Sequence, residues 1–238
     1  MRIGILGSGL MGGKLGTIFA RAGHEVVFSY ARTKGKLEKL AREAGGSATA
    51  GTPAEAAKDA DALLLAVHWS RVDDVLKKAG DVSGKVIVSC SLPMNANDTG
   101  LVIANTSSGS EALAKKVPKA QVVSAFNTVP SEVLFSVFEK AGGGSREVGS
   151  GKREAGSGKR EAGNANRPSV VYCGDNARAK KVAAQLISDV GFEPIDAGPL
   201  RIARYTEPFT LLVGQLAYEG DRGPAMAYRI EWFEEREA

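Results

Sequence analysis

The amino-acid sequence predicts an α/β fold, a doubly wound parallel sheet with a small C-terminal helical extension. Three observations predict it. The chain opens on a short apolar strand (Ile3, Ile5, Leu6) that runs directly into Gly7-Ser8-Gly9-Leu10-Met11-Gly12, and Leu10 to Arg21 then has helical periodicity. Apolar strand candidates alternate with helix candidates along the chain, the order a parallel sheet with crossover helices requires. Ala62–Val67 (Ala-Leu-Leu-Leu-Ala-Val) is a continuous apolar run, as in a strand covered on both faces. Together they place residues 1–200 in one Rossmann-type unit and residues 201–238 in the extension.

The elements follow in order. Glu25–Phe28 is the second strand, and Leu37–Ala44 reads as a helix that Gly45-Gly46 stops. Thr52-Pro53-Ala54-Glu55 offers a capping hydroxyl and a first-turn proline for a helix reaching Lys58. After the apolar run, Ser70 is expected to cap a helix through Lys78. Lys85–Ser89 and Gln121–Ala125 are further strands, with a helix near Ser110–Lys116 between them. Ser169–Tyr172 resumes the strand pattern, Ala177–Val190 is a helix and Glu193–Asp196 a strand. From Arg201 onward the tail is helical in character, with Leu211, Leu212 and Leu216 as its apolar stripe.

The glycine run carries the first functional signal. Gly7 permits the turn out of the strand, Gly9 lets backbone approach a pyrophosphate, and Gly12 allows close helix–strand packing. The phosphates would meet the positive end of the helix that starts at Leu10. Such a run is widespread, but here the strand before it, the helix after it and the following strand complete the βαβ context. The tip of the second strand then selects the dinucleotide. A ribose 2′-hydroxyl calls for Asp or Glu there, whereas no carboxylate occurs between Glu25 and Glu38. Arg32, Lys34 and Lys36 stand there instead, with the Ser29 and Thr33 hydroxyls beside them. That sign suits a 2′-phosphate, and Arg32 offers it a planar fork of donors. Lys34 and Lys36 fit equally well as the solvated start of the next helix. The expected cofactor is NADP rather than NAD.

Composition narrows the classes. With 43% hydrophobic and 24% charged residues the 238-residue chain is an ordinary globular sequence. It has no apolar run long enough for a membrane span, and a strand at its first residues leaves no room for a targeting segment, so a cytoplasmic protein is expected. Two separated cysteines, Cys90 and Cys173, read as buried thiols, and two histidines, His24 and His68, exclude a histidine metal cluster. Much of the +4 net charge comes from residues 142–168, which hold six basic residues against three acidic ones, so nucleic acid is not expected as a partner. Within that segment Gly-Ser-Gly-Lys-Arg-Glu-Ala occurs twice, at 149–155 and 156–162. Its glycines and lack of large apolar side chains oppose a coiled coil, and a flexible surface loop is expected.

These residues resemble the F420-dependent NADP oxidoreductases, a family that shares its fold with the cytosolic NADPH domains of membrane metalloreductases. The resemblance covers nearly the whole chain except roughly 140–167. It rests on Gly7–Gly12, on Gly23-His24-Glu25-Val26-Val27 leading to Arg32, and on Val123–Pro130 (Val-Ser-Ala-Phe-Asn-Thr-Val-Pro). Most specific are Val171-Tyr172-Cys173-Gly174-Asp175 and Asp196-Ala197-Gly198-Pro199-Leu200. The repeat segment departs from the family pattern. The resemblance implies direct hydride transfer between NADPH and a second, planar redox molecule, coenzyme F420 in the namesake enzymes, without metal or covalent intermediate.

In such sheets ligands lie beyond the carboxyl ends of the strands. Val67-His68-Trp69, Cys90–Pro93 and Phe126–Pro130 therefore share one rim. Asn127, whose amide both donates and accepts, is the leading candidate beside the nicotinamide. His68 is a candidate proton donor or cofactor hydrogen-bond partner, or else a rim histidine facing the pyrophosphate or solvent. Trp69 and Val67 are expected to pack against the cofactor. Arg201, Arg204 and Glu207 are expected to face solvent. A flavin, quinone or small carbonyl or imine compound could replace F420 as substrate, and a non-catalytic NADPH sensor using the repeat as a docking arm is a further alternative. The apolar tail points to a homodimer.

Overall fold

A computed structural model describes residues 1–143 and 167–233. The tandem repeat and the flexible loop expected around it lie outside the described residues. The strands are β1 (Arg2–Leu6), β2 (Glu25–Ser29), β3 (Ala48–Ala50), β4 (Ala62–Leu65), β5 (Val86–Ser89), β6 (Gln121–Ser124), β7 (Ser169–Gly174) and β8 (Glu193–Asp196). The helices are α1 (Leu10–Arg21), α2 (Lys34–Ala44), α3 (Pro53–Lys58), α4 (Val72–Ala79), α5 (Gly109–Lys116), α6 (Leu134–Lys140), α7 (Ala177–Val190) and α8 (Ala203–Gly214). Short 3₁₀ turns at Trp69–Arg71, Ser131–Val133 and Leu200–Ile202 lead into α4, α6 and α8, and a π-turn, Gln215–Glu219, ends α8.

The described strands form one sheet in the order β3-β2-β1-β4-β5-β6-β7-β8. The first six run parallel in the doubly wound order, with Ile3 opposite Val26 on one side and Ala62 on the other. Because the chain leaves β1 toward β2 but returns to β4 on the far side, a crevice opens above the β1 and β4 tips. β7 departs from the expected all-parallel sheet: it pairs antiparallel with β6 and parallel with β8. That antiparallel pairing is confined to Val123–Gly174 and Ser124–Cys173, and the chain's tail fills the gap that follows. Ser169 N–H donates to the Tyr228 carbonyl at 2.7 Å, and Ile230 N–H donates to Ser169 Oγ at 3.0 Å.

Two apolar layers sandwich the sheet. Ile3, Ile5, Phe19, Phe28, Phe126, Leu186 and Phe192 are buried on the α1/α6/α7 side, and Leu6, Leu63, Leu65, Ile87 and Leu113 on the other. Three expectations need correction here. Ser70 does not cap a helix; His68 Nδ1 accepts from Ser70 N–H at 3.2 Å and opens the 3₁₀ turn before α4. β3 and α6 were not anticipated. The tail is helical only to Glu219 and then runs as irregular chain through the described residues, because Gly220, Gly223 and Pro224 interrupt it.

Candidate active site

The crevice begins at the turn between β1 and α1. Gly7 has φ +114°, a conformation that disfavours any side chain. A Cβ on Gly12 would lie 1.9 Å from the Gly7 carbonyl oxygen, so only glycine lets α1 sit this close to the turn. A Cβ on Gly9 would meet nothing within 4 Å, so the position opens into free space above the loop. The Gly7 and Ser8 N–H groups donate to the Ser29 and Tyr30 carbonyls at 3.3 and 3.2 Å, tying the loop to the β2 tip. The N–H groups of the first α1 turn lack intrahelical acceptors by geometry, and α1 starts with no side-chain cap and no acid in its first turn.

Those groups border a groove of about 690 Å³ lined by Gly7 to Leu10, Tyr30 to Arg32, Lys36, Ala66 to His68, Arg71, Asp74 and Lys78. Three loops converge on it, from the tips of β1, β2 and β4. Arg32 and Lys36 are exposed on its wall, whereas Lys34 pairs with Glu38 at 3.7 Å and does not line it. Sequence reasoning missed Arg71, Asp74 and Lys78. Their spacing around the start of α4 places them on one helix face, a signal that was readable once a helix was expected there. Tyr30, at φ +56°, donates its hydroxyl to Asp74 Oδ2 at 2.6 Å. Lys78 Nζ lies 2.8 Å from the same oxygen and 5.2 Å from the Tyr30 ring centroid. The Lys78 and Tyr30 hydrogen bonds hold the Asp74 carboxyl below its ordinary range, while burial and Asp74 push the Tyr30 phenol up to about 12. The one carboxylate of this wall is thus compensated, leaving Arg32, Lys36 and Arg71 to set its sign.

Leu10 also lines a second hollow of about 260 Å³, shared with Met11, Cys90, Leu92, Asn127, Val129, Pro130, Ser131 and, from α8 and the π-turn, Thr210, Val213, Gly214 and Tyr218. Phe126 turns the chain out of β6 at φ +63° while fully buried, an unfavourable backbone state that swings Asn127 to the hollow. Asn127 is 5% exposed. Its Nδ2 donates to Ser124 Oγ at 3.2 Å, and its Oδ1 is buried without a partner. Behind the hollow's rim, Ser91 Oγ donates to the Val67 carbonyl at 2.7 Å and joins the tips of β4 and β5. Burial pushes the Cys90 thiol up to about 12, so this cysteine stays a neutral wall residue.

Two candidates are placed differently from expectation, and a third, His68, takes the rim position that was its alternative. Ser29 is fully buried and its hydroxyl donates to the Ile5 carbonyl at 2.7 Å, so it faces β1 instead of the groove. Trp69 lines neither hollow; it packs on the core layer beneath, with Tyr30, Val67 and Leu76. His68 lines the first groove, away from Asn127, and both ring nitrogens have partners: Nδ1 faces Ser70, and Nε2 lies 3.2 Å from Asp98 Oδ1. That placement leaves His68 as a capping and rim residue. His24 lies at the opposite end of the sheet, with Nε2 2.9 Å from Asp189.

The tail also differs. α8 buries Ala203, Thr206, Glu207 and Val213, while Leu211, Leu212 and Leu216, the expected apolar stripe, are all exposed. Glu207 is inside because it accepts three hydrogen bonds at the start of α5, and Arg204 pairs with Glu111. No group of acidic, cysteine and histidine side chains suited to a metal ion occurs among the described residues.

Comparison with known proteins gives the following. Residues 2–93 match the family described as NADP oxidoreductase, coenzyme F420-dependent. Metalloreductase STEAP3 of Rattus norvegicus is 27% identical over 213 residues, 88% of this chain, and the chain spans 36% of that protein's length. Among solved structures, one from Arthrobacter sp. FB24, provisionally described as an F420-dependent NADP-reductase, superposes with a TM-score of 0.77 at 22% identity, covering 98% of this chain and 100% of that one. A reductive aminase from Aspergillus terreus, in complex with NADPH and ethyl levulinate, superposes with a TM-score of 0.57 at 16% identity, covering 89% of this chain and 59% of that one. At these identities the structural likenesses establish a shared fold.

Proposed function

We propose that this protein, whose residues 2–93 match the F420-dependent NADP oxidoreductase family, binds NADPH along the crevice and exchanges hydride with a second planar molecule in the hollow beside Asn127. The observation that carries this reading is that the two spaces adjoin at Leu10, which lines both. One is a glycine-walled groove with Arg32, Lys36 and Arg71 on its wall, the other a largely apolar hollow that holds the partnerless Asn127 oxygen. The residues fit the cofactor. The first turn of α1 supplies N–H groups for a pyrophosphate, and the empty space over Gly9 leaves room for it. Arg32, Lys36 and Arg71 suit a 2′-phosphate. Asn127 Oδ1 is an acceptor for a carboxamide N–H, and burial strengthens that hydrogen bond.

NADPH supplies the hydride chemistry when bound. The chain's part is orientation and exclusion of water: Met11, Leu92, Val129 and Val213 wall the reacting face, and Asn127 sets the ring's rotation. Coenzyme F420 is the leading partner because of the family. No charged residue lines the hollow, which also suits a neutral flavin, quinone, or small carbonyl or imine compound. The exposed apolar face of α8 supports a homodimer.

Mixing the protein, NADPH and F420 and following the deazaflavin's visible absorption tests the reading. Loss of that absorption, with deuterium passing from labelled NADPH into the reduced deazaflavin, is the expected result. Oxidation of NADPH by FMN or an imine alone would select the second substrate class. Tight NADPH binding with no acceptor would select the sensor.

A further inference from the structure

We infer that Glu207 is a positioning residue for the second-substrate hollow, fastening its α8 wall to the start of α5; the inference rests on the reading of that hollow given above. Glu207 is 1% exposed. Its Oε2 accepts from Gly109 N–H at 2.7 Å, and its Oε1 accepts from Ser110 N–H and Ser110 Oγ, both at 2.9 Å. A carboxylate this deep is unfavourable unless donors surround it, and these donors are the first N–H groups of α5, where the helix dipole also favours a negative charge. Burial still pushes the carboxyl above its ordinary range. A solvent-facing or incidental acid would not hold this place.

A second attachment runs parallel to it. Arg204, three residues earlier on α8, donates through Nε and Nη2 to the two Glu111 oxygens at 2.9 and 2.7 Å. α5 is itself seated against the hollow's rim, because a Cβ on Gly109 would lie 2.8 Å from the Pro93 ring, next to the lining residue Leu92. The two ion contacts therefore set the separation between the Leu92 wall and the α8 wall.

α8 needs such a fastening. Pro208 follows Glu207 inside the helix and has no N–H for the Arg204 carbonyl, so the backbone ladder is broken where the side chains take hold. The rest of the buried face is small, Ala203, Thr206 and Val213, and holds the helix less firmly than large apolar side chains would. Immediately beyond lie Thr210, Val213, Gly214 and Tyr218, which line the hollow. None of the residues of the NADPH groove comes from α5 or α8, so the two sites should separate on mutation.

The test compares full-length wild type, E207A and E207Q. Three quantities are read: amide hydrogen exchange over 203–214 and 109–116, NADPH affinity by calorimetry, and KM against kcat with F420 or FMN as acceptor. E207A is expected to speed exchange in those two segments by at least about tenfold, since buried donors lose a charged acceptor. It should leave NADPH affinity unchanged and raise the acceptor's KM more than it lowers kcat, and E207Q, whose one amide oxygen can still accept from Ser110 while its NH2 cannot accept from Gly109 N–H, should recover part of both effects. If E207A does not fold, S110A removes one donor and should show the same pattern at smaller size. Unchanged exchange in 203–214, equal acceleration throughout the sheet, or NADPH binding weakened in step with KM would each overturn the inference. A wild type that turns over no acceptor defeats the functional reading alone, because the exchange measurement still decides the positioning role.

Discussion

Arg32 stands on the groove wall where the chain leaves β2, without a carboxylate neighbour in sequence and beside Lys36 and Arg71 in space. Its guanidinium is the group with the geometry to hold a 2′-phosphate by two parallel bonds. Arg32→Ala should therefore weaken NADPH by at least about tenfold, about 1.4 kcal/mol, and leave NADH binding nearly unchanged. Calorimetric titration with both cofactors checks this, and equal affinities in the wild type would overturn the assignment. Asn127 acts on a different quantity. Its buried, partnerless oxygen can orient a ring but touches no phosphate site. Asn127→Ala should lower kcat more than it weakens NADPH binding, a split that steady-state kinetics and titration read directly. The thiols of Cys90 and Cys173, both pushed up to about 12 by burial, remain protonated and are spectators in either measurement.

At the scale of single elements, local capping and tertiary anchoring carry different parts of the molecule. α3 is closed by a reciprocal box: Glu55 N–H donates to Thr52 Oγ1 at 3.2 Å, and Thr52 N–H donates to Glu55 Oε2 at 2.7 Å. Thr52→Ala should cost about 1 kcal/mol of stability in urea denaturation, with NADPH affinity unchanged because α3 does not line the crevice. α8 has the opposite character. Its buried face is small residues plus one carboxylate, and its order depends on α5. Turns that local sequence closes should thus resist hydrogen exchange independently of the site, while the hollow's outer wall opens first.

At the scale of the whole molecule, the tail and α8 leave an apolar surface. Tyr205, Phe209, Leu212, Leu216 and Tyr218 are at least partly exposed along one run of chain. The tail is held from behind, where Tyr228 packs edge-on to Phe209 with ring centroids 5.3 Å apart and shares a 2.7 Å hydrogen bond with Thr128. A surface of this kind suits a second copy of the chain. Sedimentation velocity should show a dimer in the wild type and a monomer for Leu212→Asp, with NADPH affinity preserved in both. A wild-type monomer at all concentrations would overturn the homodimer.

How much of this was legible in the sequence follows from the range of the forces involved. β1, α1, the glycine turn and the cationic tip of β2 are determined by residues adjacent in the chain: a tight turn needs its glycine, a cap needs its hydroxyl, and apolar periodicity marks a face. α7 and β8 carried the same local signals and lie where the periodicity places them. Only the tertiary structure decided which way β7 runs, since an apolar strand pattern is the same in either direction. It also decided that Ser29 turns to Ile5 and that His68 Nε2 meets Asp98, because those hydroxyl and imidazole partners come from the fold. Glu207 shows the limit most plainly. From the sequence alone a glutamate on a helix belongs in water, and its burial is favourable only because the start of α5, ninety-seven and ninety-eight residues earlier, brings two N–H groups and a hydroxyl to meet it.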